Sequence, residues 1–280
     1  MALFSGCDGP TEPGELNARR VLTVLYRELD GPNWDNNDKW LTRAPVSKWY
    51  GVEVDAGGNV IALHLQRNGL AGELPRELGS LRTLEVLRLD AKEPVITTGP
   101  TTDDTDDKRV LTGSIPPELG NLRFLRYLSL TRNGLVGTIP PELGNIRTLR
   151  SLNLEGNGLQ GVIPPELGNL QNLWGLMLSG NVLTGPIPSE LGGLKNLGIL
   201  DLSDNKLTGP VPREFGALQA LSYLDLSDNQ LGGPLPRELV RLRLGHFFWD
   251  NTNLCAPTDD AFQQWLASIT HHKGNRNCDS

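Results

Sequence analysis

The sequence predicts an α/β solenoid, in which short strands stack into one parallel sheet and a helical cap covers each end. Two observations predict it. Segments beginning at Leu125, Leu149, Leu173 and Leu197 repeat one pattern with a period of 24 residues. Outside this array, both ends of the chain carry apolar residues at helical spacing. A fixed period of this length is typical of a repeat architecture, whose turns bury their leucines only against neighbouring turns.

The repeats span residues 60–254 and make about eight turns, the last incomplete, with Thr252 at a position otherwise held by asparagine. Each unit has the form L-x-x-L-x-L-x-x-N-x-L-x-G-x-I-P, which predicts one short strand followed by a return path. The asparagine follows the strand, where its amide can satisfy backbone groups turned inward. We expect a structural role for this set: Asn68, Asn133, Asn157, Asn181, Asn205 and Asn229.

The L-x-G-x-I-P segment resembles the plant-type leucine-rich repeat proteins, among them receptor ectodomains, polygalacturonase-inhibiting proteins and algal and bacterial arrays. The resemblance covers residues 16–278. It implies a right-handed leucine-rich repeat superhelix with the parallel β-sheet on its concave face and helical N- and C-terminal caps. Because a shared scaffold does not fix a ligand, it implies the fold more strongly than any partner.

Residues 1–15 are predicted to be a flexible tail and residues 16–59 an N-terminal cap. An amphipathic helix is expected here, with Val21, Leu22, Leu25 and Leu29 on one face. Trp34, Trp40 and Trp49 follow, and packing on that helix is favoured over a ligand-stacking role. The segment resembles the N-terminal cap of the family, but Val54 stands where a cysteine is often found.

Residues 255–280 are predicted to form the C-terminal cap. Thr258 is the expected helix N-cap, and one helix face collects Phe262, Trp265, Leu266 and Ile269. Cys255 and Cys278 flank this helix and are the predicted disulfide, which leaves Cys7 unpaired. The histidine-containing tail HHKGNRNC is expected to be solvated.

A net charge of −7 and a pI near 5.2 argue against a nucleic-acid footprint. No apolar run approaches the ~20 residues of a membrane span. The compartment stays open, because a disulfide favours an extracellular or cell-surface location whereas the N-terminus lacks the apolar stretch of a secretory signal.

No phosphate loop, nucleophile elbow or metal-ligand spacing occurs, so we expect no enzyme activity, no metal and no cofactor. The repeated DLSDN places Asp201 and Asp225 on adjacent strands, where close carboxylates could serve acid–base chemistry. A solvated binding face is the favoured interpretation of this pair.

Strand alternation turns the residues between the leucines outward onto the concave face. The N-terminal half of this face is predicted to be basic, although Glu85 and Glu155 interrupt it, and the C-terminal half acidic. Trp174 is the predicted anchor, since aromatic residues and arginine dominate binding hot spots. The candidate ligand-binding residues are Arg88, Arg126, Tyr127, Arg132, Arg150, Trp174, Met177, Asp201, Tyr223, Asp225 and Phe248.

An acidic insert at residues 93–109 interrupts the second repeat. Its composition favours an extended loop that leaves the rim of the concave face, either as part of a site or as slack. Its aspartates lack the spacing of a calcium loop.

These observations predict a non-catalytic recognition module that binds a protein or peptide on the concave face, as a receptor-like or inhibitor-like protein in signalling or defence does. The alternative is a protein that binds or acts on cell-wall polysaccharide, with an oligosaccharide as the ligand.

Overall fold

A computed structural model describes residues 13–92, 109–274 and 276–278. The aspartates of the predicted acidic insert, most of the predicted flexible tail and Cys7 lie outside these residues. The described part contains helix α1 (Pro13–Glu28) and helix α2 (Asp260–Ser268).

The strands are short and follow the repeat period. In chain order they are β1 (Val52–Val54), β2 (Val60–His64), β3 (Gly72–Glu73), β4 (Val86–Arg88), β5 (Leu111–Thr112), β6 (Tyr127–Ser129), β7 (Val136–Thr138), β8 (Ser151–Asn153), β9 (Gly158–Gly161), β10 (Gly175–Met177), β11 (Val182–Pro186), β12 (Ile199–Asp201), β13 (Lys206–Gly209), β14 (Tyr223–Asp225), β15 (Gln230–Pro234), β16 (His246–Phe248), β17 (Asn253–Ala256), β18 (His271–Lys273) and β19 (Arg276–Asn277).

The strands form one long concave sheet in the order β1-β2-β4-β6-β8-β10-β12-β14-β16-β18. Every pairing in it is parallel except that of β1 with β2, which is antiparallel. Residues at equivalent repeat positions are in register, as in the run Met177, Asp201 and Asp225. The predicted leucine-rich repeat solenoid with its parallel concave sheet is therefore confirmed.

The strands that follow the concave strands along the chain form a second parallel sheet, in the order β19-β17-β15-β13-β11-β9-β7. Strands β3 and β5 form a separate two-stranded pair. The return path then runs through a one-turn 3₁₀ helix. In the described residues the return-path helices are Arg76–Ser80, Pro117–Asn121, Pro141–Asn145, Pro165–Asn169, Ser189–Gly193, Arg213–Ala217 and Arg237–Arg241, and the N-terminal cap contains two more 3₁₀ helices, Gly31–Asn33 and Val46–Lys48.

The 3₁₀ helices of neighbouring turns stack so closely that they require glycine. A Cβ added at Gly120 would lie 2.4 Å from the carbonyl oxygen of Glu142, and one at Gly144 would lie 2.3 Å from that of Glu166. Backbone atoms cannot yield as a flexible side chain can. The glycine of P-E-L-G is thus fixed by the distance between turns.

The asparagines that follow the concave strands bond through their side chains to their own turn and to the preceding turn. Asn205 donates from Nδ2 to the carbonyl oxygens of Leu178, 3.0 Å away, and Leu202, 3.2 Å away. Its Oδ1 accepts the backbone N–H of Leu183 at 3.0 Å. Asn133, Asn157, Asn181 and Asn229 repeat this pattern with their own neighbours. The predicted structural role of the asparagines is confirmed.

The N-terminal cap encloses an aromatic cluster against the first turns. Helix α1 begins earlier than predicted and buries the expected apolar face. Trp34, Trp40 and Trp49 are buried, and Tyr26 stacks on Trp40 with ring centroids 5.7 Å apart. Arg19 lies over Trp49 at 5.0 Å and donates to the carbonyl oxygen of Ala44 at 2.6 Å, joining α1 to the following loop. The predicted packing role of the tryptophans is confirmed.

The C-terminal cap corrects one detail of the sequence analysis and adds a strand that it did not predict. Helix α2 is capped by Asp259 rather than Thr258, because the Asp259 side chain accepts the Phe262 N–H. The tail after α2 is not an unpaired polar segment. Its residues His271–Lys273 form β18, which pairs in parallel with β16, while their side chains remain exposed.

The predicted disulfide between Cys255 and Cys278 is present. Beside it, β17 pairs with β19, so the disulfide and the backbone hydrogen bonds hold the same two segments together. The C-terminal cap is thereby joined to the last turn at two adjacent points.

The two chain segments that flank residues 93–108 meet at one carboxylate in the N-terminal cap. The Asp35 carboxylate forms ion pairs with Lys92 Nζ, 2.6 Å away, and with Arg109 Nη2, 2.9 Å away. The Lys92 hydrogen bond is the largest contribution that lowers the pKa of Asp35, with Arg109 adding to it. The insertion point is therefore closed by an ion-pair network outside the leucine core.

Replacing a buried asparagine should destabilise the fold far more than replacing an exposed one. Asn205→Ala leaves buried backbone groups without partners, at an expected cost of about 3 kcal/mol in the free energy of unfolding. The matched control is Asn196→Ala, since Asn196 is exposed and donates once, to the Gln171 carbonyl. Urea unfolding measures both. A similar loss in the two variants would contradict the role assigned to the buried amide.

Removing the disulfide should loosen the C-terminal cap. Cys255 and Cys278 are separated by 23 residues, a loop whose closure stabilises by about 3 kcal/mol in the chain-entropy model. The Cys255→Ala/Cys278→Ala variant is expected to lose this amount in urea unfolding, and reductant should lower wild type to the same value. Mass spectrometry that found Cys7 linked to either cysteine would contradict the pairing.

Candidate functional site

The concave sheet presents two outward columns of side chains. The first consists of Ala62, Val86, Tyr127, Ser151, Gly175, Ile199, Tyr223, His246 and His271. The second consists of His64, Arg88, Ser129, Asn153, Met177, Asp201, Asp225, Phe248 and Lys273. The structure extends both columns by one strand, β18, whose His271 and Lys273 the sequence analysis missed because the segment has no leucine pattern.

In the middle of the first column, the side chains of two consecutive strands are small. Ser151 and Gly175 lie between Tyr127 and Tyr223, together with Ile199. Met177 lies along this surface, since its Sδ would be 3.2 Å from a Cβ added at Gly175. We call Ser151, Gly175 and Met177 the concave floor. At ~4.8 Å per strand, the two tyrosines are about 19 Å apart, which matches an extended chain of about six residues.

An acidic pair lies at the C-terminal side of the floor. Asp201 and Asp225 lie side by side on the neighbouring strands β12 and β14. Within the described residues, no Lys or Arg forms an ion pair with either carboxylate. Asp225 accepts the Ser227 hydroxyl at 2.6 Å and the Tyr223 hydroxyl at 3.2 Å. Burial is the main cause that raises the pKa of Asp225, and the charge of Asp201 adds to it.

The same pair acts on Tyr223. Burial first, and then the negative charges of Asp225 and Asp201, raise the pKa of Tyr223 to about 12. The phenol is therefore held protonated as a hydrogen-bond donor. The adjacent carboxylates make this end of the face attractive to a cation.

Aromatic rings continue from Tyr223 to the C-terminal cap. His246 stacks on His271 with centroids 4.8 Å apart, and Phe248 lies 6.1 Å from Tyr223. A shallow cavity of about 640 Å³ is lined by His246, Phe248, Thr270, His271, His272 and Lys273. Lys273 is held at its edge by Asp250, 2.6 Å away.

The basic half of the face is partly neutralised. Arg126 lies 3.4 Å from Glu85, and Arg132 lies 3.6 Å from Glu155, so the two glutamates that interrupt the basic pattern pair with its arginines. Arg88 and Arg150 are exposed and have no carboxylate partner among the described residues. The positive potential of this half thus rests on fewer arginines than the sequence suggests.

Trp174 lies at the rim rather than on a concave strand. It precedes β10 by one residue, in a backbone ladder that joins Arg126, Arg150, Trp174 and Gly198. Its side chain is 56 % exposed, and its indole covers Gly198, where an added Cβ would lie 2.7 Å from Nε1. Strand alternation alone did not separate this rim position from the concave columns.

In the described part of the chain, no group of three or more His, Cys, Asp or Glu side chains is arranged to hold a metal ion. No helix there combines the length and the apolar character that crossing a bilayer requires.

Comparisons with known proteins agree with this architecture. Leucine-rich repeat family models match residues 124–146, 147–207 and 176–231. No curated protein matches the chain. Together with the period, the asparagine pattern and the two sheets, these matches support a leucine-rich repeat solenoid, and the repeats resemble those of the plant type.

Two receptor structures are similar to this chain. The structure of PEPR1-AtPEP1 is 25% identical, with a TM-score of 0.75, and the match covers 92% of this chain and 42% of that one. The ectodomain of the Arabidopsis receptor kinase HAESA, solved with an IDA peptide hormone ligand, is 26% identical, with a TM-score of 0.62 and coverages of 94% and 50%. This chain thus spans half or less of each receptor chain.

A third neighbour has a different ligand. A plant ice-binding protein is 28% identical, with a TM-score of 0.54, and the match covers 94% of this chain and 97% of that one. Since one fold serves both kinds of protein, the side chains on its surface have to identify the ligand.

The acidic pair should be visible in the titration of Tyr223. Because the folded pKa is raised, the stability that the protonated phenol contributes is present below the unfolded value of about 10 and is lost as the pH rises through about 12. The tyrosinate absorbance of wild type minus Tyr223→Phe should rise near pH 12. Asp225→Asn should lower the pH at which this absorbance rises, whereas Asp260→Asn, far away on α2, should leave that pH unchanged. Equal shifts in the two variants would contradict the assignment.

Proposed function

We propose that this protein is a non-catalytic recognition module that binds a peptide, or an extended segment of a protein, along its concave face. One observation carries the proposal. The concave floor lies between Tyr127 and Tyr223, with the Met177 side chain over Gly175, so an extended ligand can lie along it while the two rings contact its ends. Tyrosine at such positions provides rigid amphipathic contact area at low entropic cost.

The charges at the two ends of the floor give the ligand a direction. Asp201 and Asp225 favour a cationic group, such as a lysine, an arginine or an α-ammonium, and the aromatic rings beside them add cation–π attraction. Arg88, at the other end of the second column, favours an acidic group. A peptide whose basic end points to the C-terminal cap satisfies both.

One structural neighbour was solved with a peptide ligand, which supports a peptide ligand for this chain. PEPR1 and HAESA are receptor structures, and HAESA was solved with a peptide hormone. By analogy, the present chain acts as a receptor-like or inhibitor-like protein in signalling or defence, outside the cell, where its disulfide would persist. Trp174, Arg126 and Arg150 at the rim would then contact residues of the ligand that extend beyond the floor.

The test fills the floor without touching the core. Peptides selected from a random display library on wild type are titrated against Ser151→Tyr and against Gln160→Tyr. Ser151 is an outward residue of the floor, whereas Gln160 is an exposed residue of the second sheet. Binding should weaken at least about tenfold in Ser151→Tyr, an effect of about 1.4 kcal/mol, and stay unchanged in Gln160→Tyr.

Two further measurements separate the alternatives. Asp201→Asn/Asp225→Asn should weaken peptides that carry a basic end, and more strongly at low salt, because the interaction is screened. Peptides that bind Ser151→Tyr as tightly as wild type would contradict the proposal. Neutral oligosaccharides that bind on a glycan array and are displaced by none of the peptides would favour the carbohydrate alternative instead.

A further inference from the structure

A second basic surface lies outside the concave face, at the N-terminal rim, where each 3₁₀ helix leads into the next concave strand. Arg82, Arg123 and Arg147 occupy the same position on three consecutive turns, two residues before the first leucine of each repeat. Each backbone N–H bonds to the carbonyl two residues earlier, at 2.9, 2.9 and 3.0 Å. The shared turn geometry sends the three side chains out in the same direction, about one strand spacing of ~5 Å apart.

These arginines have no structural partner. All three are exposed, and none pairs with a carboxylate within the described residues, in contrast to Arg126 with Glu85. Exposed like charges at this spacing repel one another weakly, by about 1 kcal/mol or less in water. The arrangement therefore does not stabilise the fold, and it concentrates positive charge on a chain whose net charge is −7.

A small pocket opens between the first two of these turns. It has a volume of about 160 Å³ and is lined by Arg82, Asn121, Arg123 and Phe124. Two guanidinium groups and an amide in one pocket are suited to a carboxylate, which can accept several hydrogen bonds at once. Phe124 is 59 % exposed at the edge of the pocket, where its ring offers apolar contact area beside the guanidinium groups.

We propose that this surface, formed by Arg82, Asn121, Arg123, Phe124 and Arg147, binds an acidic segment of a protein partner. A glutamate or aspartate of that segment enters the pocket, a neighbouring apolar side chain covers Phe124, and Arg147 meets a second carboxylate. The site is independent of the ligand proposed for the concave floor. It lies at the edge where the strands begin, whereas residues 93–108 join the chain at the edge where the strands end.

The composition of the surface favours a protein partner over a sulfated or phosphorylated polymer. Phe124 offers apolar area that a polyanion backbone does not bury, and arginine with an aromatic neighbour is typical of protein-binding hot spots. The net charge of −7 also opposes a long polyanion that would extend beyond the arginines.

The test uses the full chain and a synthetic peptide in which one phenylalanine lies between two pairs of glutamates. Arg123→Glu should weaken its binding at least about tenfold, and Phe124→Ala severalfold, because the charge and the apolar contact are both lost. The matched control is Arg213→Glu, which makes the same change of charge at an exposed arginine in the 3₁₀ helix Arg213–Ala217, outside the proposed surface. It should stay within twofold of wild type. Melting curves establish that all variants are folded.

Each other outcome contradicts the proposal. Equal weakening in Arg123→Glu and Arg213→Glu would mean that only the net charge of the protein matters. An unchanged affinity in Phe124→Ala would show that the ligand makes no apolar contact with this ring. A sulfated oligosaccharide or single-stranded DNA that binds more tightly than the peptide, and is lost in Arg123→Glu, would identify a polyanion as the occupant. No binding of the peptide to wild type would also overturn it. Ser151→Tyr, which fills the concave floor, should leave this interaction intact, so the two proposals can fail separately.

Discussion

The buried asparagine amide is the interaction on which the spacing of this solenoid depends. Each strand ends in a bend that turns backbone groups toward the interior, where no water can satisfy them. The amide is short enough to remain inside the turn and has both donors and an acceptor, so one side chain bonds to its own turn and, at two points, to the preceding turn. The leucines contribute the apolar area, but they are not directional. The amide sets how far apart the turns lie, and the closely stacked glycines of the return path follow from that distance.

Because leucine, asparagine and glycine stabilise the fold, the side chains that point outward are not needed for its stability. This explains how Tyr127, Ser151, Gly175 and Tyr223 can differ so strongly in size at equivalent positions of one sheet. It also explains how an arginine can recur at the N-terminal rim without a carboxylate partner. The two proposed surfaces lie on the same turns but face different directions, so a ligand on the floor leaves the rim accessible.

Repetition made the fold predictable from sequence, and breaks in repetition limited the prediction. The period fixed the strands, the asparagines and the outward columns, because each position is sampled many times. His271–Lys273 escaped, because the cap continues the sheet by backbone hydrogen bonds without leucines. The helix cap moved from Thr258 to Asp259 because both neighbouring residues are good N-caps, and only the geometry of the chain decides between them. Trp174 was predicted to be exposed, but its place at the rim depends on where β10 begins. The pairing of Arg126 with Glu85 joins residues that are 41 positions apart, a distance set by the interrupted repeat.

Asp35 gives the interrupted repeat a property that regular repeats lack. With Lys92 and Arg109 both bound to one carboxylate of the N-terminal cap, the two residues that flank the intervening segment are held close together. The closure entropy of such a segment rises only slowly with its length. The second repeat is therefore a position where segments of other lengths or sequences can be exchanged without altering the register of the solenoid. Evolution or an engineer can change the edge of the concave face there while the scaffold stays the same.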